Sequence, residues 1–270
     1  MNNELNYYEN KDLWPKERYL KNDLELKRFM QCADMIPGCV TSLLDVGTGN
    51  GAFISYLETQ NKPINYLGVE RSKAAIECRV CKSDILRGSI DNLQFEDHSF
   101  DLVSALEVIE HLPYINYNKC LTEIERVAKN YILVAVPYRE KRKNVKCFYC
   151  GCHFNPIYHM RSFDLEKNEE LFKDFQVINY KIVTREVYAW SFLIGFNLSN
   201  IFIKKNVMPD YSLCPQCGFS GSLISSNINL QSSPPSLPAK PSYFKELLKS
   251  IWPKKEQEVW IITLHKRFKT

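Results

Sequence analysis

The chain has 270 residues, 45% of them apolar, with 15 Tyr, 15 Phe and 4 Trp; that is enough to bury a core and excludes disorder over most of the length. Its 35 basic and 31 acidic residues leave a net charge of +4, too mild for a general polyanion-binding coat. The polar N-terminus lacks an apolar signal core, and the longest apolar run, 190–203, is interrupted by Gly195, Asn197, Ser199 and Asn200, so a cytoplasmic chain with no integral membrane segment is expected.

Residues 1–40 are polar with helical spacing at Leu20, Leu24, Phe29 and Met30, and stop at Ile36-Pro37-Gly38. This predicts an N-terminal helical cap. The pattern then changes. SLLDVG (42–47), INYLGVE (64–70), FDLVSALEV (100–108) and YILVAVP (131–137) are near-continuous apolar runs bounded by turn residues, with DILRGSI (84–90) a weaker one. Such runs suit strands covered on both faces. Helical stretches at 50–60, 72–82 and 117–129 separate them, and repeated strand–helix alternation predicts a doubly wound α/β sheet. A helix over 164–175 and strands at 175–183 and 258–266 follow. The domain reading is therefore a cap over 1–40, a main α/β domain over 41–183 plus 257–270, and an insertion over 184–256. That insertion holds an aromatic segment (188–205), read as a lid over the acceptor pocket or alternatively a membrane-surface helix, and a Ser/Pro-rich linker (225–242).

LLDVGTGNGAF (43–53) is the sharpest motif. A buried strand ends near Asp45, and Gly47, Gly49 and Gly51 turn the chain into a helix, where the backbone must bend tightly and let a ligand approach its amides. The second strand ends at Glu70, where a carboxylate can accept both hydroxyls of a ribose.

With YLGVERS, the stretch GSIDNLQFEDHSFDLVSALEVIEHL (88–112) and YILVAVP, this motif resembles the class I S-adenosylmethionine (SAM)-dependent methyltransferases. A pyridine-nucleotide dehydrogenase leaves EDHSFDLVSALEVIEHL without a role. The resemblance implies a Rossmann-like, mostly parallel seven-stranded sheet and SAM as cofactor. It implies that Gly47, Thr48, Gly49 and Gly51 line the methionine and ribose, with Asp45 near the amino group, Glu70 and Arg71 at the ribose, Ser89 and Ile90 at the adenine edge, and Glu107 bordering the pocket. Many relatives carry an acid where Ser89 stands.

For the acceptor, EVIEHL supplies Glu107, Glu110 and His111 at helical-turn spacing. They suit either acid–base work or a divalent ion, Mg2+ or Mn2+, polarising a diol. Small-RNA 3′-terminal 2′-O-methyltransferases carry a similar string and a further histidine, for which His159 in YHMRSF is the counterpart. The resemblance thus leaves a small-molecule or glycan acceptor, such as a nucleotide sugar, with an RNA 3′ end as the alternative and a silent SAM-binding scaffold as a third reading. The basic run Arg139, Lys141, Arg142, Lys143 and Lys146 follows strand five, where it can grip an acceptor phosphate or form a solvated loop.

Ten cysteines include three C-x-x-C pairs. Cys147/Cys150 and Cys214/Cys217 are each followed by Gly and together predict a four-thiolate structural zinc site with no open position for chemistry. Cys78 and Cys81 lack that glycine and read as core thiols.

Overall fold

The computed structural model describes residues 7–15, 21–188, 208–209, 211–221 and 254–268. The aromatic segment beyond residue 188 and the Ser/Pro-rich linker fall outside them. Contacts divide the chain into two units: Leu5–Arg142, His159–Val183 and Val259–Thr270 form one, and Met1–Glu4, Lys143–Tyr158 and Thr184–Glu258 the other.

In the larger unit, strands β1 (Ser42–Val46), β2 (Asn65–Glu70), β3 (Ile85–Arg87), β4 (Phe100–Leu106) and β5 (Ala128–Pro137) pair in parallel. Two strands run through both units, β8 (Phe175–Tyr188) and β9 (Lys254–Arg267). They complete a seven-stranded sheet of order β3-β2-β1-β4-β5-β9-β8, with β9 antiparallel to β5. The expected Rossmann-like sheet is present.

The continuous apolar runs have a direct cause. Leu43, Leu102 and Leu133 join a core on one face with Phe29 and Phe53. Their chain neighbours Leu44, Val103 and Ile132 join a core on the other with Ile124 and Phe172. Successive strand residues point to opposite faces, and both faces are covered.

Helix α1 (Asp23–Met35) starts where the Asn22 side chain accepts the amide of Leu24 at 3.0 Å. It buries Phe29, Cys32 and Ala33 at helical spacing, together with Arg28. Helix α2 (Ala52–Glu58) follows the glycine turn, α3 (Lys73–Glu77) is capped by Ser72, and α4 is Tyr117–Val127. The helix expected over 164–175 is only α5, Leu165–Glu169. Phe172 and Phe175 instead bury against the sheet core, which bends the chain into β8. That strand and β9 each extend beyond the expected bounds.

The smaller unit contains the hairpin β6 (Val145–Lys146) and β7 (His153–Phe154) and a bridge between Leu213 and Ser220. Its core is Val145, Cys147, Phe154, Met208 and Cys214. A division falls between Val183 and Thr184, and Lys143–Tyr158, read as part of the main domain, groups with the insertion as well, because the first cysteine pair meets the second there.

Candidate active site

At the carboxyl end of β1, Gly47, Gly49 and Gly51 all take left-handed backbone, with φ of 65°, 60° and 78°. A side chain at Gly49 would be strained, and its Cβ would lie 2.6 Å from the Trp14 ring. Glu70 is buried and accepts the amides of Gly49 at 2.9 Å and Ser72 at 2.8 Å. Burial raises its pKa, while those N–H groups oppose the shift. Two donors leave carboxylate lone pairs for a diol, so turn and carboxylate together fit a nucleoside cofactor.

Asp45 is otherwise engaged. Thr48 and Ser104 hydroxyls each donate to it at 2.6 Å, and burial pushes its pKa up to about 6. Arg71 lies 5.0 Å over the Tyr8 ring. Ser89 donates to Asp91, and Ile90 opens a short 3-10 turn, Ile90–Asn92. Asp91 thus brings an acid to the side of Ser89. No motif singled it out, although the Ser-x-Asp spacing is visible.

Residues 7–15, expected within the N-terminal helical cap, include a short 3-10 turn, Lys11–Leu13, and pack on this edge. The Tyr8 carbonyl accepts from Trp14 Nε1 and Ser72 Oγ, both at 2.8 Å. The Glu9 carboxylate receives the amides of Lys73 and Ala74 at the start of α3.

Beyond β4, the backbone of Glu107 is also left-handed, φ 56°. Its side chain faces Arg28 at 3.2 Å, a partner that sequence gave no reason to choose. Glu110, His111 and His159 do come together: one ligand atom from each lies within 4.8 Å of the others. Glu107 is not in this group. Both Glu110 carboxylate oxygens are buried and accept no hydrogen bond. Burial, and then the charge of Glu107, raise its pKa well above the carboxylate range. The histidine rings are 4.6 Å apart at 79°. Tyr8 Oη contacts His111 Nδ1 at 3.0 Å, and Glu140 Oε2 contacts His159 Nδ1 at 2.5 Å. A carboxylate on Nδ1 fixes the tautomer and directs chemistry to Nε2. Glu140 was hidden inside the basic run. Within that run Arg142 donates to the Met160 carbonyl and Arg139 lies 4.9 Å over Tyr138.

In the smaller unit the four paired cysteines cluster, with sulfurs 3.6 Å apart between Cys147 and Cys217 and between Cys150 and Cys214. Thiolates about 2.3 Å from a tetrahedral metal are about 3.8 Å apart, so the cluster can coordinate one ion. Each knuckle closes alike: Gly151 donates to the Cys147 carbonyl at 3.1 Å and Gly218 to that of Cys214 at 2.9 Å, both glycines being left-handed. Cys81 is buried beside Ile54 and Ile85, and Cys78 is half-buried.

Residues 44–133 match the family model described as a methyltransferase domain. A phthiotriol/phenolphthiotriol dimycocerosates methyltransferase of Mycobacterium tuberculosis is 32% identical over 111 residues, 38% of each chain. A fatty-acid O-methyltransferase of Mycolicibacterium smegmatis is 33% identical over 92 residues, 32% of this chain and 33% of its own. The chain thus spans little more than a third of these relatives. A SAM-dependent methyltransferase structure from Archaeoglobus fulgidus superposes with a TM-score of 0.52 at 14% identity, covering 93% of this chain and 97% of that one. The chain has the class I SAM-dependent methyltransferase fold, with an added cysteine cluster capable of holding a metal. Among the described residues, no helix is long and apolar enough to cross a membrane.

Proposed function

We propose that the chain is a SAM-dependent O-methyltransferase of a small organic acceptor, in which His159 is the general base and Glu140 its positioning residue. The contact of Glu140 with His159 Nδ1 at 2.5 Å, on the same sheet edge as the glycine turn, carries this reading. SAM, when bound, supplies a methyl group on a sulfonium that needs only an in-line nucleophile. Glu70 and the Gly47–Gly51 turn hold the nucleoside, and Asp45 stiffens the turn through Thr48. His159 Nε2 takes the acceptor hydroxyl proton as oxygen attacks, and Glu140 stabilises the resulting imidazolium. The partial likeness to a fatty-acid O-methyltransferase and to a phthiotriol/phenolphthiotriol dimycocerosates methyltransferase supports a small-molecule acceptor; a glycan precursor falls within the same chemistry. Cys147, Cys150, Cys214 and Cys217 hold a structural zinc.

A second reading rests on Glu110. A buried carboxylate without a partner, beside two imidazoles, also suits Mg2+ or Mn2+ at Glu110, His111 and His159, with a diol acceptor such as an RNA 3′ end. S-adenosylhomocysteine release across nucleotide sugars, phenols, hydroxy acids and a short RNA, with and without added Mg2+ or Mn2+, separates the two. Under the first, turnover needs no added ion, and His159→Asn lowers kcat by roughly 100-fold or more without weakening SAM binding. Turnover dependent on the ion overturns the base assignment. No release with any acceptor, combined with no saturable SAM binding, overturns both.

A further inference from the structure

Beside this site lies a cavity of about 480 Å3 whose walls include Tyr114, Arg142, Arg161, Phe163, Lys167 and Leu171. Three of the residues in its wall, Arg142, Arg161 and Lys167, are cations. Among the described residues none of them has a carboxylate at ion-pair distance; the wall holds one acid, Glu170, which forms no such pair. Each cation is instead held by neutral groups. Arg161 Nη1 donates to the carbonyls of Ile109 and Leu112, both at 2.7 Å, and its guanidinium lies 3.8 Å over Tyr117 and 5.0 Å over Tyr114. Arg142 donates to the Met160 carbonyl and Lys167 Nζ to that of Ser162 at 3.2 Å. Arg161 Nη2 is shielded from solvent and makes no hydrogen bond.

Arg142 and Lys167 are exposed and Arg161 is half-buried; like charges gathered at one cavity repel one another. Burial lowers the Arg161 pKa, Tyr117, Tyr114 and Glu110 oppose that shift, and the neighbouring Arg142 adds to it, so the two guanidiniums repel one another. An oxyanion would relieve that repulsion and satisfy Nη2. The cavity is also much larger than an inorganic anion needs and has Phe163 and Leu171 in its wall, so the remainder of its ligand is apolar. It adjoins the proposed base: Arg142 Nη1 is 3.5 Å from the His159 carbonyl, and the Met160 amide donates to the Glu110 carbonyl at 2.7 Å.

We infer that Arg142, Arg161 and Lys167 form a subsite for the carboxylate or phosphate end of a two-ended acceptor whose hydroxyl end is methylated at His159. This rests on the proposed activity only in naming the ligand as the acceptor. The groups at 142, 161 and 167 would select for the anion, and the apolar wall for the spacer.

The test is calorimetric binding of 6-hydroxyhexanoate, 6-hydroxyhexyl phosphate and neutral 1,6-hexanediol to the full chain at low and high salt. At least one anion binds tenfold or more tightly than the diol, with affinity falling as salt rises; the stronger of the two identifies carboxylate or phosphate as the source. Arg142→Gln and Lys167→Gln each weaken that binding at least fivefold and leave SAM affinity unchanged. Arg161→Gln also frees two carbonyls, so the other two variants carry the test. Equal binding of anion and diol, no saturable anion binding at millimolar concentration, or variants that keep SAM binding and anion affinity within twofold of wild type overturns the subsite. Anion binding without methyl transfer to any acceptor would overturn the activity alone.

Discussion

Removing the charge of Arg28 should destabilise the larger unit strongly, and neutralising Glu107 should restore part of the loss. Arg28 is 4% exposed, 2.5 Å from Glu25 and 3.2 Å from Glu107, with its guanidinium 4.7 Å over the Trp260 ring. At 3.2 Å and an effective dielectric of about 20, its attraction to Glu107 is about 5 kcal/mol before the cost of desolvating both groups. No aligned hydrogen bond accompanies this contact, since Arg28 Nη1 and Glu107 Oε1 both lack one. Loss of one partner from a buried pair costs about 3–5 kcal/mol, and the missing bond favours the lower end. Arg28→Met keeps the stem volume while stranding the carboxylate of Glu107, whose pKa burial already raises and Arg28 lowers. Urea unfolding of wild type, Arg28→Met, Glu107→Gln and the double variant, followed by tryptophan fluorescence, gives the coupling directly. The expected loss for Arg28→Met is about 3 kcal/mol, with more than 1 kcal/mol recovered in the double variant relative to additivity. A loss under about 1 kcal/mol, or strictly additive changes, would refute the claim that the Glu107 contact is electrostatic and leave the Glu25 pair and packing on Trp260 to hold Arg28.

Gly49→Ala should cost about 1–2 kcal/mol from its left-handed backbone alone and displace the Trp14 ring, giving a red-shifted tryptophan emission; unchanged emission and stability would contradict the packing. Glu70→Gln should weaken SAM binding by about 1–3 kcal/mol, and an unaltered titration would remove Glu70 from the ribose site. Cys214→Ser with Cys217→Ser should abolish stoichiometric zinc in metal analysis, whereas retained zinc would mean that the ion sits elsewhere. Burial lowers the His265 pKa to about 3 from 6.5, so the unfolded chain takes up a proton in that window while the folded chain does not. Stability should fall as pH drops below about 6.5, by on the order of 4 kcal/mol near pH 3. His265→Phe, packed against Phe172, should flatten that limb; an unchanged acid midpoint would show that other groups govern it.

The sheet was legible because a parallel strand covered on both faces writes an unbroken apolar run, as at Leu43–Leu44, Leu102–Val103 and Ile132–Leu133. The glycine turn was legible because Gly47, Gly49 and Gly51 answer a local backbone demand, and the cysteine knuckles because their spacing is set within five residues. The rest depends on pairings far apart in sequence. Arg28 is one polar position on an otherwise apolar helix face, and nothing nearby names Glu107 as its partner. Glu140 sits among Arg139, Lys141, Arg142 and Lys143, a run that reads as solvated charge, and only the fold brings it to His159. The tail around Tyr8 and Trp14 has too few apolar residues for periodicity to detect. In EVIEHL the local spacing misled in part: Glu110 and His111 meet His159, while the left-handed backbone at Glu107 sends that carboxylate to Arg28.

The antiparallel pairing of Tyr131–Pro137 with Trp260–Lys266 has a consequence for biosynthesis. Until residue 260 has left the ribosome, one edge of β5 offers unpaired amides and carbonyls beside Leu133, Val134, Ala135 and Val136, all fully buried in the finished sheet. About 120 residues separate the two segments, and at about 5–20 residues per second the nascent chain carries this edge for roughly 6–25 s. That interval is long compared with the microseconds in which a chain collapses and overlaps the milliseconds to minutes in which chains associate, so yield of the native protein should depend on chaperones that shield β5 during translation, and slower elongation after residue 137 should favour inclusion bodies.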